Sequence, residues 1–114
     1  MTLPTVTFED FQQIEMRVGR IVAAEPFPEA RKPAYKLRID FGSEIGIKQS
    51  SAQLTILYTC EELVGRFVVG VVNFPPRRVA GFNSEVLVLG AADSEGAVVL
   101  LHPDRDVPLG ARIF

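Results

Sequence analysis

The sequence predicts an all-β fold: a five-stranded barrel with a short helix at its N-terminus and another between strands three and four. Three observations carry this expectation. Apolar and polar residues alternate at period two from Tyr35 to Phe41, the pattern of a half-buried strand. Short β-branched runs recur along the chain, separated by glycine and proline. Two threonines, each followed three residues later by an acid, mark helical turns between the strands.

Thr7 and Asp10 open the first helix as a capping box, with aspartate in place of the usual glutamate or glutamine. Phe8, Phe11 and Ile14 then recur at helical spacing. A helix this short is not stable alone, so its two phenylalanines need a receiving surface. Val18 to Ala24 reads as the first strand, with Gly19 placed for a bulge or sharp bend. Pro26, Pro28 and Pro33 mark an irregular loop that carries Arg31 and Lys32. In the second strand Tyr35, Leu37, Ile39 and Phe41 face one way, and Lys36, Arg38 and Asp40 the other.

Gly42 and Ser43 turn the chain into a third strand beginning at Ile45 and Ile47, which runs out into the polar stretch Lys48-Gln49-Ser50-Ser51. Thr59 and Glu62 open the second helix, and Gly65 closes it. Phe67 to Val72 is an unbroken apolar run, as expected of a strand buried on both faces. It stops at Asn73-Phe74-Pro75-Pro76, where proline cannot continue a ladder. Val86 to Leu89 and Val98 to Leu101 supply the last strands. A helix between the third and fourth strands of such a barrel is the layout of the OB-fold.

The 114 residues fit one domain, 1–114, of ordinary globular composition with a net charge of −2. No apolar run reaches the roughly twenty residues that a membrane helix needs. The N-terminus lacks the basic and apolar segments of a secretory signal, and Cys60, the single cysteine, has no partner for an intrachain disulfide. These features point to the cytoplasm and to no membrane insertion. They also leave little for catalysis. His102 is the only histidine, Cys60 has no base at recognisable spacing, and the glycines are too dispersed for a phosphate loop. The expectation is a non-catalytic binding protein with no metal and no cofactor.

Charge is unevenly placed. From Arg66 to Ser84 the only charged side chains are Arg66, Arg77 and Arg78, whereas from Glu85 onward five acids face Arg105 and Arg112. A local basic face on an acidic protein is compatible with this distribution.

Two stretches are more specific. One is Ile14-Glu15-Met16-Arg17-Val18-Gly19-Arg20-Ile21, running on to Pro28-Glu29-Ala30 and Ile39-Asp40-Phe41-Gly42. The other runs from Val72-Asn73-Phe74-Pro75-Pro76-Arg77-Arg78 through Gly81 to Ser84-Glu85. Together, from about Asp10 to Ile113, they resemble the tRNA-binding domain family, which occurs as a module of methionyl-tRNA synthetases and as free-standing dimers. Its early R-V-G-x-I is matched by Arg17 to Ile21, and its later N-L-x-P-x-x-x-x-G-x-x-S by Asn73 to Ser84. Within that family, Ile45 to Gln53 and Asn73 to Gly90 are most similar to the CsaA-type secretion chaperones. Ser84-Glu85-Val86-Leu87 departs from the wider family's S-x-G-M, and Ile45 to Ser51 from its R-x-V-x-S-G-L.

The resemblance implies a homodimer and two classes of ligand: unfolded or pre-secretory polypeptide, with tRNA as the competing or additional partner. The burial that Phe8 and Phe11 need beyond a small barrel points to them as the dimer interface. Arg77 and Arg78, presented by a proline pair, are candidate phosphate clamps. Lys48, Gln49, Ser50, Ser51, Asn73 and Ser84 are candidate polar contacts to nucleic acid. Phe74, Phe82 and Leu87 are candidate contacts for peptide side chains. For Phe74 and Phe82, stacking on bases and filling the core are alternatives.

Overall fold

The computed structural model describes residues 2–114 and is built around one long strand. In chain order the elements are α1 (Phe8–Gln12), β1 (Met16–Pro26), β2 (Tyr35–Asp40), β3 (Ile47–Ala52), α2 (Cys60–Leu63) and β4 (Phe67–Val71). They are followed by β5 (Arg77–Val79), β6 (Phe82–Ser84), β7 (Leu87–Val88), β8 (Gly90–Ala92) and β9 (Val98–Leu100). The first half of β1 pairs with β4 and the second half with β2, so β1 is the spine of an antiparallel sheet ordered β3-β2-β1-β4-β7. That sheet curls into a nearly closed barrel of the OB type. α2 caps it with Leu63 fully buried, and β5–β6 and β8–β9 are separate hairpins.

Both capping boxes form. The amide of Asp10 donates to Thr7 Oγ1 at 3.1 Å while the Thr7 amide donates to the Asp10 carboxylate at 3.3 Å. Thr59 and Glu62 repeat the arrangement at 3.2 and 3.0 Å. Gly65 leaves α2 with φ of 96°, as expected of a residue closing a helix. The alternation in β2 also holds: Leu37, Ile39 and Phe41 are buried with Ile21, Leu54, Val68, Val86 and Leu100.

Two expectations are corrected. Gly19 is not at a bulge; the register of β1 against β2 slips between Ile21 and Ala23. The glycine is needed for packing, because a Cβ there would stand 2.6 Å from Ile39 Cγ2 and 2.8 Å from the Phe41 ring. Its missing side chain is what admits Phe41 to the core. The third strand does not fade at Lys48 either. Lys48, Gln49, Ser50 and Ser51 are the strand, in register with Ile39, Arg38, Leu37 and Lys36.

The polar character of β3 has a cause. Among the described residues no backbone ladder joins β3 to β7; bonds to Ser84 at the end of β6 and to Glu85 and Val86, the link into β7, close the gap. Ser50 is 1% exposed and its hydroxyl donates to the Val86 carbonyl at 2.9 Å. The Ser51 amide donates to Ser84 Oγ at 2.9 Å. The Gln49 amide donates to the Glu85 carboxylate at 3.0 Å, and the Glu85 amide returns a bond to the Gln49 carbonyl at 2.8 Å. A seam that buries backbone groups must satisfy them, and the side chains of Ser50, Ser84 and Glu85 do so here.

The β5–β6 hairpin was not expected from the sequence. It turns through Ala80 and Gly81, at φ of 47° and 81°, with Val79 opposite Phe82. Positive φ at both central residues is a type I′ turn.

Candidate ligand-binding groove

Where β4 ends, Asn73 ties the chain down. Its Oδ1 accepts the Glu15 amide at 2.9 Å and its Nδ2 donates to the Gln13 carbonyl at 2.7 Å. Pro75 and Pro76 then carry the chain outward into β5. Between this hairpin and the proline-rich loop after β1 lies a groove of about 990 Å³, bordered by Arg31, Lys32, Phe74, Arg77, Arg78 and Leu87. Its floor is apolar, formed by Phe74 and Leu87, 45% and 49% exposed, together with buried Val86. Its rim is cationic.

The four rim cations Arg31, Lys32, Arg77 and Arg78 are exposed, and among the described residues none has a carboxylate within 4.0 Å. Glu85, the acid on the wall, is engaged in the seam by the Gln49 amide. Unneutralised guanidinium and ammonium groups over an apolar floor suit a long ligand with both apolar and anionic groups.

The structure sorts the sequence-derived candidates. Arg77, Arg78, Ser51, Ser84, Phe74 and Leu87 come together at the groove. Ser50 does not: it is buried, its hydroxyl is committed to Val86, and it has no surface to offer a ligand. Gln49 donates through Nε2 to the Asn83 carbonyl, and Asn73 is held at the α1 junction. Lys48 does not line the groove. Neither does Phe82, whose ring packs edge-on against Phe27 at 5.5 Å. The Lys36 ammonium stands over both rings, 4.8 Å from Phe27 and 5.4 Å from Phe82. Phe82 thus docks the hairpin on the barrel, beside a smaller hollow of about 220 Å³.

Arg31 and Lys32 were missed as site residues. The available signal was a basic pair inside a proline-rich loop. Phe8 is 67% exposed and stacks on half-buried Phe11 with ring centres 6.4 Å apart, so the helix keeps an apolar face open.

Other titratable groups have structural settings. Glu15 accepts two bonds from Arg17 at 2.7 and 3.1 Å and faces Arg112 at 3.3 Å. The Arg17 bonds first, and then the Arg112 charge, hold its carboxyl below the usual range despite partial desolvation. Arg112 also donates to the Gln12 carbonyl, so the cluster fastens the end of α1 to the barrel. Burial, reinforced by Glu61, pushes the Cys60 thiol up, away from an activated thiolate. His102 is exposed, with Nδ1 2.9 Å from the neighbouring Pro103 carbonyl. Among the described residues no three His, Cys, Asp or Glu side chains converge as metal ligands, and no helix is long and apolar enough to cross a membrane.

The family model of the putative tRNA binding domain matches residues 16–112. The chain belongs to this family. Among solved tRNA-binding-domain relatives, the chaperone CsaA from Bacillus anthracis str. Ames is 54% identical, with a TM-score of 0.92 over 97% of this chain and 100% of that one. The CsaA chaperone protein from Picrophilus torridus is 50% identical, with a TM-score of 0.91 over 96% and 100%. The methionine–tRNA ligase of Thermococcus onnurineus is 41% identical over 108 residues. That match takes in 95% of this chain but only 14% of the ligase. The chain is therefore a CsaA-like member of the tRNA-binding domain family, and it spans about a seventh of the ligase's length.

Proposed function

We propose that this protein is a non-catalytic chaperone of the CsaA type that holds unfolded or pre-secretory polypeptides in the groove, working in the cytoplasm as a homodimer. The observation that carries the reading is the groove's floor. Phe74 and Leu87 present half-exposed apolar surface to a concavity of about 990 Å³, and apolar side chains of a client would cover them. The CsaA structures support it, since they match over their whole length whereas the ligase matches over a small part. The open face of α1, with Phe8 and Phe11, supports the dimer.

The four unpaired cations favour a second reading, in which tRNA is the ligand and Arg77 and Arg78 clamp its phosphates. The two readings separate in one experiment: affinity for a reduced, unfolded protein and for tRNA, each measured across a salt series. The chaperone reading predicts that Phe74→Ser combined with Leu87→Ser weakens polypeptide binding about tenfold, as expected when two half-exposed apolar contacts are lost. It also predicts that polypeptide binding, resting in part on apolar contacts, falls with salt less steeply than tRNA binding does. Under the tRNA reading, Arg77→Ala with Arg78→Ala flattens the log–log salt slope for tRNA by roughly 1.4 to 1.8. Polypeptide affinity that ignores Phe74 and Leu87, beside tRNA affinity that depends on the arginines, would reverse the order of the two readings.

A further inference from the structure

The hairpin that forms the groove's rim has one edge in use and one edge free. Its turn joins Val79 and Phe82, which in a two-residue hairpin form a hydrogen-bonded pair, and Arg77 and Ser84 form the next one. Arg78 and Asn83, between them, are the pair whose backbone groups point away from each other. The Asn83 side bears this out: its carbonyl faces β3 and accepts Gln49 Nε2 at 2.8 Å. By the same alternation the N–H and C=O of Arg78 face outward, on the strand that borders the groove, and among the described residues neither has a partner.

We propose that the free edge of β5 at Arg78 captures the main chain of an extended, acidic polypeptide by adding it as a strand. This rests on the polypeptide-binding reading above and names how that groove grips its client. A single residue offering both a donor and an acceptor matches the amide pair of one residue in an incoming strand. A sugar–phosphate backbone offers ribose hydroxyls and phosphate oxygens but no amide N–H and C=O at strand spacing. Pro76 ends the edge on one side and the Ala80-Gly81 turn on the other, so the grip is short and leaves sequence choice to side chains. Those nearby are Arg31, Lys32, Arg77 and Arg78, with no carboxylate within 4.0 Å among the described residues, and the apolar Phe74 and Leu87. Such surroundings select a segment in which acidic and apolar residues alternate.

Proline is tolerated in a strand where its missing N–H would have faced away from the ladder, so Arg78→Pro deletes the outward donor and Arg78→Ala deletes only the charge. The probe is a short fluorescent peptide alternating valine and glutamate, titrated into the parent and both variants. A uridine oligonucleotide is titrated in parallel. The expected result is peptide affinity about fivefold lower for Arg78→Pro than for Arg78→Ala, the loss expected for one hydrogen bond. The oligonucleotide should show equal affinity for the two variants. Methylating the backbone amides of the peptide should weaken binding to the parent by a similar factor, a measurement that does not depend on how the proline variant folds. Equal peptide affinity for the two variants, with no effect of methylation, would overturn the strand-addition mode while leaving a polypeptide groove. An oligonucleotide loss matching the peptide loss would overturn it as well. A parent that does not bind the peptide at all would overturn the polypeptide reading and this inference with it.

Discussion

The seam between β3 and β7 and the rim formed by β5 are made from similar polar residues and differ in whether those residues have partners. At the seam Gln49, Ser50, Ser51, Ser84 and Glu85 spend their hydrogen bonds on one another and on backbone groups. At the rim Arg77 and Arg78 are exposed and, among the described residues, have no carboxylate within 4.0 Å and carry a strand edge with free backbone groups. The lesson is that satisfied polar groups hold the barrel shut, whereas unsatisfied exposed ones are available to a ligand. Substitutions at the barrel should therefore register as stability, and substitutions at the rim as affinity.

The largest stability effect should come from Gly19→Ala, whose new methyl meets the side chains of Ile39 and Phe41. Overpacking of this kind costs about 2 kcal/mol, or roughly a 10 °C fall in Tm for a chain of this size. A melting curve that does not move would mean that the core gives way there. Ser50→Ala comes next. It leaves the buried Val86 carbonyl without its donor, at a cost of about 1 to 2 kcal/mol by thermal melting. A silent change would make the seam redundant.

The cluster under α1 tests paired charges directly. Because the Glu15 carboxyl is held below its ordinary range when folded, its contribution is present above the unfolded-state value. It is lost as pH falls through the lowered folded value. Glu15→Gln should thus lower Tm at neutral pH and bring parent and variant together in acid. A gap that widens as pH falls would reverse the sign. The smallest effect is at the hairpin. Ala80 sits at φ of 47°, a region alanine avoids, and Ala80→Asn should raise stability by about 0.5 kcal/mol with the turn unchanged.

Local chemistry made much of the fold legible. Threonine–acid spacing gave both helices, and the period-two pattern of β2 gave the strand that carries the core. The errors came from tertiary needs. Local rules offer a bulge or sharp bend for Gly19 because they cannot see the Phe41 ring across the sheet. The β5–β6 hairpin was hidden because Ala80-Gly81 replaces the usual Asn-Gly or Asp-Gly of a type I′ turn. At the site, Arg77, Arg78, Phe74 and Leu87 were legible as an arginine pair and apolar residues around prolines. Ser50 reads in sequence as a polar contact for nucleic acid, but its hydroxyl is bound to Val86 across the seam, and Phe82 is an anchor because Phe27 and Lys36 stand beside it.

The most direct test places the two regions side by side. Affinity for an unfolded, reduced protein and Tm are measured on the parent, on Ser50→Ala, and on Arg77→Ala combined with Arg78→Ala. The rim variant should bind several-fold more weakly and melt within about 2 °C of the parent, as exposed changes usually do. The seam variant should melt several degrees lower and, below its transition, bind as the parent does. A rim variant that loses stability but keeps its affinity, or a seam variant that stays stable but no longer binds, would contradict the division of roles.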